Sequence, residues 1–79
     1  MPVYYFHVDD GNTVLDDEGL QFPDLKTARE EAVRACGDML RDKVSPRLWD
    51  GKPWRLWVTE RPDGEGTPLL SLTLSVTVG

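Results

Sequence analysis

The chain is poor in the residues that would name a chemistry. It has one cysteine and one histidine in 79 residues. A single cysteine forms no internal disulfide, which fits a reducing compartment. A single histidine, with no His-x-His, Cys-x-x-Cys or Asp-x-Asp-x-Asp-Gly spacing, leaves a metal without a converging ligand set. No metal or other cofactor is therefore expected, and nothing assembles a nucleophile, a base and an oxyanion donor, so no enzyme is expected either. No run reaches the ~20 apolar residues that cross a bilayer. Met1-Pro2 leads straight into a strand pattern, without the basic start and apolar core of a signal peptide, and a cytoplasmic protein is the expectation. Basic residues are also scarce. Nine Lys and Arg stand against fourteen Asp and Glu, a net charge of −5, which repels phosphate backbones and disfavours nucleic acid as a partner.

What remains is 39% hydrophobic, arranged with regular periods, and reads as one folded domain over residues 1–79. A chain of this length buries only roughly 60–65% of its unfolded surface, so the three Trp, two Tyr and two Phe carry much of the burden. Val3 to Val8 alternates as a strand, with Tyr4, Phe6 and Val8 on one face and Val3, Tyr5 and His7 on the other. Asp9-Asp10-Gly11-Asn12 is turn chemistry, Thr13–Leu15 a short return strand, and Asp16-Asp17-Glu18-Gly19 a second acidic turn. Leu20 and Phe22 lead towards a helix over Leu25–Lys43, N-capped by Asp24. Its apolar stripe is Leu25, Ala28, Ala32, Ala35 and Met39, widened by Val33, Cys36 and Leu40. Val44–Pro53 is broken by Pro46, Gly51 and Pro53, and its Leu48 and Trp49 are expected to tuck against the core.

Trp54–Glu60 reads as a third strand, with Trp54, Leu56 and Val58 opposite Arg55, Trp57 and Thr59. After a Pro-Asp-Gly loop at 62–64, Leu70, Leu72, Leu74, Val76 and Val78 alternate with Ser71, Thr73, Ser75 and Thr77, which predicts one buried and one wet face. The order is ββαββ, an α+β fold with one helix packed on one face of a four-stranded, mainly antiparallel sheet. A right-handed crossover gives the spatial strand order 2-1-3-4 and leaves the last strand at an edge.

The N-terminal half resembles a family of small uncharacterised bacterial proteins, found mainly in alphaproteobacteria, that open with Met-Pro-x-Tyr-Tyr/Phe-Phe-His. The residues that carry the resemblance are Pro2, Tyr4, Tyr5, Phe6, His7, Asp10, Gly11, Asp17, Glu18, Gly19, Pro23, Asp24, Ala28 and Ala32, with Phe22 where a Leu is usual. It covers residues 1–43, and the Trp-rich segment from Leu48 to Trp57 departs from the pattern. The resemblance implies a stand-alone bacterial domain of unknown function and supplies no reaction or ligand.

Three functions are compatible with these residues. A protein-interaction module, possibly a homodimer, would use the sheet face opposite the helix, where Tyr5, His7, Arg55, Trp57 and Thr73 are expected to lie exposed in types common at binding hot spots. It could equally use the edge strand Leu69–Val78, guarded only by Pro68. His7 would then make binding respond to pH. The same aromatic face could instead stack the bases of single-stranded nucleic acid. The third function is that of a small-ligand or metal-binding protein using His7 and the neighbouring carboxylates. Cys36, on the flank of the helical stripe, reads as a small buried hydrophobe.

Overall fold

The computed structural model describes residues 1–42 and 46–77, and of Asp42, Pro46 and Arg47 the backbone alone. Lys43, Val44 and Val78, assigned to elements above, lie outside the described residues. The first strand, β1 (Val3–Asp9), is the spine of the sheet. It is followed by β2 (Thr13–Val14), β3 (Leu20–Gln21), α1 (Leu25–Asp42), the single helical turn α2 (Pro46–Trp49), β4 (Trp54–Thr59) and β5 (Leu70–Leu74). The sheet runs β2-β1-β4-β5, and β3 also pairs with β1. Every pairing is antiparallel. The α+β architecture and the expected strand order are those observed.

The period-2 alternation of the strands places Phe6 beside Val58 and Val58 beside Leu70, and Val8 beside Leu56 and Leu56 beside Leu72. This row faces α1, whose Ala28 and Ala32 are completely buried. Side chains of one methyl group let the helix backbone settle close to the sheet. Tyr4, Leu48, Trp54, Leu56 and Val58 complete the buried core. Phe22, just before the helix, sets its ring about 6 Å from those of Tyr4 and Phe6 (6.1 and 6.0 Å). Asp24 caps α1 as expected, its Oδ1 accepting both the N–H and the hydroxyl of Thr27 at 2.8 Å.

Four local expectations need correction. Val33 and Leu40 do not widen the buried stripe and stand 61% and 40% exposed, because the sheet-facing arc of α1 is already filled by Ala28, Ala32, Cys36 and Met39. Leu48 is buried, but Trp49 is 63% exposed, since one helical turn at 46–49 aims successive side chains about 100° apart. β5 ends at Leu74, although the exposed–covered alternation continues through Thr77. The fourth correction is β3, which the sequence shows only as a lead-in to the helix.

β3 alters the shape of the first hairpin. β2 pairs with the C-terminal end of β1 (Val8↔Val14, Asp9↔Thr13) and β3 with its N-terminal end (Val3↔Gln21, Tyr4↔Leu20). Both flank the same edge of β1, and residues 15–19 leave that edge between them. Gly19 makes the return possible at φ +74°, packed so closely that a Cβ there would lie 2.5 Å from Val3 Cγ1 and 2.9 Å from Tyr5 Cε1. Gly66 has a similar conformation, φ +90°, in open space. Gly19→Ala is therefore expected to cost roughly 1–3 kcal/mol or more, and Gly66→Ala only the smaller backbone share. Urea midpoints of the two variants separate contact from backbone strain, and equal losses would refute the tight packing of Gly19.

Candidate functional site

The face of the sheet away from α1 carries all five residues expected there. The register puts Tyr5 beside Thr59, Trp57 of β4 between His7 of β1 and Ser71 of β5, and Asp9, Arg55 and Thr73 in one row. Their shared face is as expected, but their exposure is not. His7 is fully buried, Thr59 is 1% exposed and Trp57 8%. Tyr5 is half-buried, and only Arg55 and Thr73 of the five are exposed.

The cover comes from two loops. One is the 15–19 excursion. At 5–7, β1 has no strand neighbour on that side, and the Phe6 N–H would be left without a partner. Asp16 takes its place, with Oδ2 accepting the Phe6 N–H at 3.1 Å and Oδ1 accepting the N–H groups of Glu18 and Gly19, each at 3.1 Å. Partial burial pushes this carboxyl up, but the donors of Gly19, Phe6 and Glu18, with His7 nearby, outweigh it and hold Asp16 below the ordinary aspartate value of 3.8. The second loop joins β4 to β5. Its Gly64, at φ +71°, passes so near that a Cβ would meet Leu15 Cδ2 at 3.0 Å and the His7 ring at 3.7 Å.

His7 ties the two loops together. The Asp16 backbone N–H donates to Nδ1 at 3.0 Å. Nδ1 is thus an acceptor, and the ring proton sits on Nε2, 2.8 Å from the Thr59 hydroxyl. Thr59 in turn donates to the carbonyl oxygen of Arg61 at 2.7 Å and accepts the Arg61 N–H at 3.3 Å. The chain of bonds crosses from the first loop through β1 and β4 into the second. Both ring nitrogens are engaged internally, so His7 is not the exposed polar contact expected from the sequence.

Trp57 lies between two partners. The His7 ring is 5.2 Å away between centroids, and the Arg55 guanidinium carbon is 4.7 Å from the Trp57 ring. Arg55 is anchored further by its Nε, which donates to Ser71 Oγ at 3.1 Å. With both partners in place, Trp57 is 8% exposed. Beside it an open cleft of about 390 Å³ is lined by Asp9, Gly11, Lys52, Pro53, Arg55 and Thr73. Asp9 is occupied within its own turn, accepting from the Gly11 N–H at 2.8 Å and the Thr13 hydroxyl at 3.3 Å. Among the described residues, no three His, Cys, Asp or Glu side chains converge as a metal would require.

β5 borders this face and is the sheet's outer strand. Ser71 and Thr73 are exposed on it, and Leu70, Leu72, Leu74 and Val76 are only half-buried, although they belong to the helix-covered row. From Thr67 to Gly79 there is no charged residue. The opposite edge consists of two-residue strands and is flanked by Asp9, Asp10, Asp16, Asp17 and Glu18. Sequence reasoning missed the cover of His7 and Trp57. The available signals were Gly19 and Gly64, each in turn chemistry next to a strand of this face.

Two measurements test the network. Thr59→Val keeps the shape but leaves the buried Nε2–H of His7 unpaired, and is expected to cost about 1–3 kcal/mol. In a double-mutant cycle with His7→Phe, the double variant should lose clearly less than the sum. Additive losses would mean that the two side chains act independently. For Asp16, a carboxyl with a depressed folded-state value contributes stability that is complete above its unfolded value and lost as pH falls through the folded one. Asp24 and Asp63 are also depressed, chiefly by the N–H groups of Thr27 and Glu65, and titrate in the same acid window. Urea midpoints followed down from neutral pH should therefore fall below about pH 4 in the wild type and fall less in Asp16→Asn. Identical pH profiles would remove Asp16 from the account.

A family model described as a domain of unknown function, DUF6894, matches residues 3–75. The match includes the Trp-rich segment from Leu48 to Trp57, which the resemblance of the opening alone did not reach. No curated protein and no solved structure matches the chain. With both loops, the helix and all the strands of the sheet inside the matched span, the chain belongs to the DUF6894 family.

Proposed function

We propose that the protein is a protein-interaction module that holds its partner by adding an extended strand to β5. The observation that carries this reading is the contrast between the two edges of the sheet. Exposed edges invite pairing, and proteins blunt them with short strands, charges, bulges or cover. The β2/β3 edge has short strands, an excursion filled by the Asp16 carboxylate and five acidic side chains. The β5 edge has five strand residues, no charge and a single proline, Pro68, ahead of it. Main-chain hydrogen bonds would supply affinity, and alternating side chains specificity.

The surface expected from the sequence keeps a part in this reading. Arg55 and Thr73, exposed beside the edge, would be the polar contacts to the added strand, and Tyr5 a contact further along the face. Trp57 and His7 would act from beneath, Trp57 by holding the Arg55 guanidinium over its ring. A guanidinium fixed in this way loses little freedom when it meets a carbonyl or carboxylate.

The test is site-specific photo-cross-linking in cells. A photoreactive residue at Thr73 is expected to give discrete adducts that map to an extended segment of the captured chain, and the same residue at Asp17 to give none. Adducts from Asp17 equal to those from Thr73, or none from either, would overturn strand capture at β5.

A further inference from the structure

We infer that the strand β5 captures is β5 of a second copy of this chain, paired antiparallel about a twofold axis through Leu72. The inference rests on the reading of β5 as a strand-capturing edge, and three observations select the occupant.

The first is charge. Each copy carries a net charge of −5, so two copies repel one another over most approaches. The segment from Thr67 to Gly79 is the long stretch with no charged residue, and β5 runs through it at the sheet's rim. An edge evolved for a charged foreign strand would be expected to carry complementary charge. β5 carries none.

The second is pattern. In antiparallel register about Leu72, Leu70 stands beside the partner strand's Leu74, Leu72 beside its own counterpart, and Ser71 beside Thr73 of the other copy. Directly opposed residues point to the same face. The apolar row therefore continues across the junction, as does the hydroxyl row, without a bulge. A twofold axis perpendicular to the sheet also puts both helices on the same side, as an isologous contact requires.

The third is incomplete burial. Leu70, Leu72, Leu74 and Val76 pack against the core on the helix side and are still half-exposed, whereas Leu56 and Val58 of the neighbouring β4, in the same rows, are fully buried. The corresponding row of a second copy would cover the outer strand. Arg55 does not oppose its counterpart, since two β5 strands separate them.

The register dictates a charge test on two exposed positions. Ser71→Lys/Thr73→Lys places lysine opposite lysine twice across the twofold axis, and Ser71→Lys/Thr73→Glu places lysine opposite glutamate twice. Both variants lose the Arg55–Ser71 hydrogen bond, so that loss cancels between them. Sedimentation of the purified chain over a wide concentration range should show a wild-type dimer. The dissociation constant should rise about tenfold or more in the Lys/Lys variant and return to within a few-fold of wild type in the Lys/Glu variant. Amide exchange of the wild type gives a readout without substitutions, with residues 70–74 becoming slower as concentration rises and residues 13–14 unchanged. A wild-type chain that stays monomeric, or two variants weakened equally, overturns self-pairing. Adducts of Thr73 to a different protein, alongside a monomeric wild type, overturn self-pairing and leave strand capture standing.

Discussion

The hydrogen-bond chain through the His7 ring is the constraint on which the rest of the molecule depends. Asp16 donates to one side of the ring, and the other side donates to Thr59, which closes on Arg61. Two distant segments of the chain, 7–16 and 59–61, are thereby joined across the sheet. A sheet with one helix on one face leaves its other face wet, and the described residues hold one long helix, α1, and only a single further turn, α2. This chain covers that face with two loops, and loops carry backbone polar groups that must find partners. His7 and Thr59 supply them. Among the described residues, no buried side-chain nitrogen or oxygen lacks a hydrogen bond, and a buried polar network is favourable only when it is satisfied in this way.

The same arrangement explains the position of Asp16. A continuous hairpin strand would have satisfied the Phe6 N–H with a backbone carbonyl and left His7 and Trp57 facing water. The excursion at 15–19 interrupts the ladder between the β1–β2 and β1–β3 pairs and satisfies the Phe6 N–H through a carboxylate, while Leu15 and Gly19 are carried to the loop and side chains of this face. A carboxylate accepting several N–H groups is a stronger acceptor than a carbonyl. Gly19 and Gly64 are needed because the loops lie directly on Val3, Tyr5 and His7, where any side chain would hold them off.

All the strands but β3, their faces and their order were legible in the sequence because alternation gives the faces and the usual right-handed crossover predicts the order. The Asp24 cap was legible because an aspartate ahead of an apolar stripe has one common use. Alternation states towards which face a side chain points. It carries no information on what lies over that face, and this is why Trp57 and His7 were placed correctly and taken to be exposed. The cover depends on contacts nine residues apart for Asp16 and His7 and fifty-two apart for His7 and Thr59. Hydropathy misled in the opposite direction at Val33 and Leu40. They fit the helical stripe by spacing, but two buried alanines leave α1 with a contact arc too narrow to include them.

With much of both faces covered, the two edges of the sheet differ most in what they expose. The excursion that covers the second face also breaks the first edge into two short pairs and brings acidic turn residues to it. Among the described residues no strand pairs with the outer side of β5, and the loop that precedes it approaches Leu15 and His7 through Gly64. The network that buries His7 therefore also determines the asymmetry of the edges. An exposed strand on an acidic domain would be a liability if it were charged to suit many partners. In the proposed pairing, an uncharged and self-complementary β5 would discriminate by geometry, since only a strand of matching alternation and similar neutrality can lie along it without leaving leucines uncovered or hydroxyls opposite apolar groups.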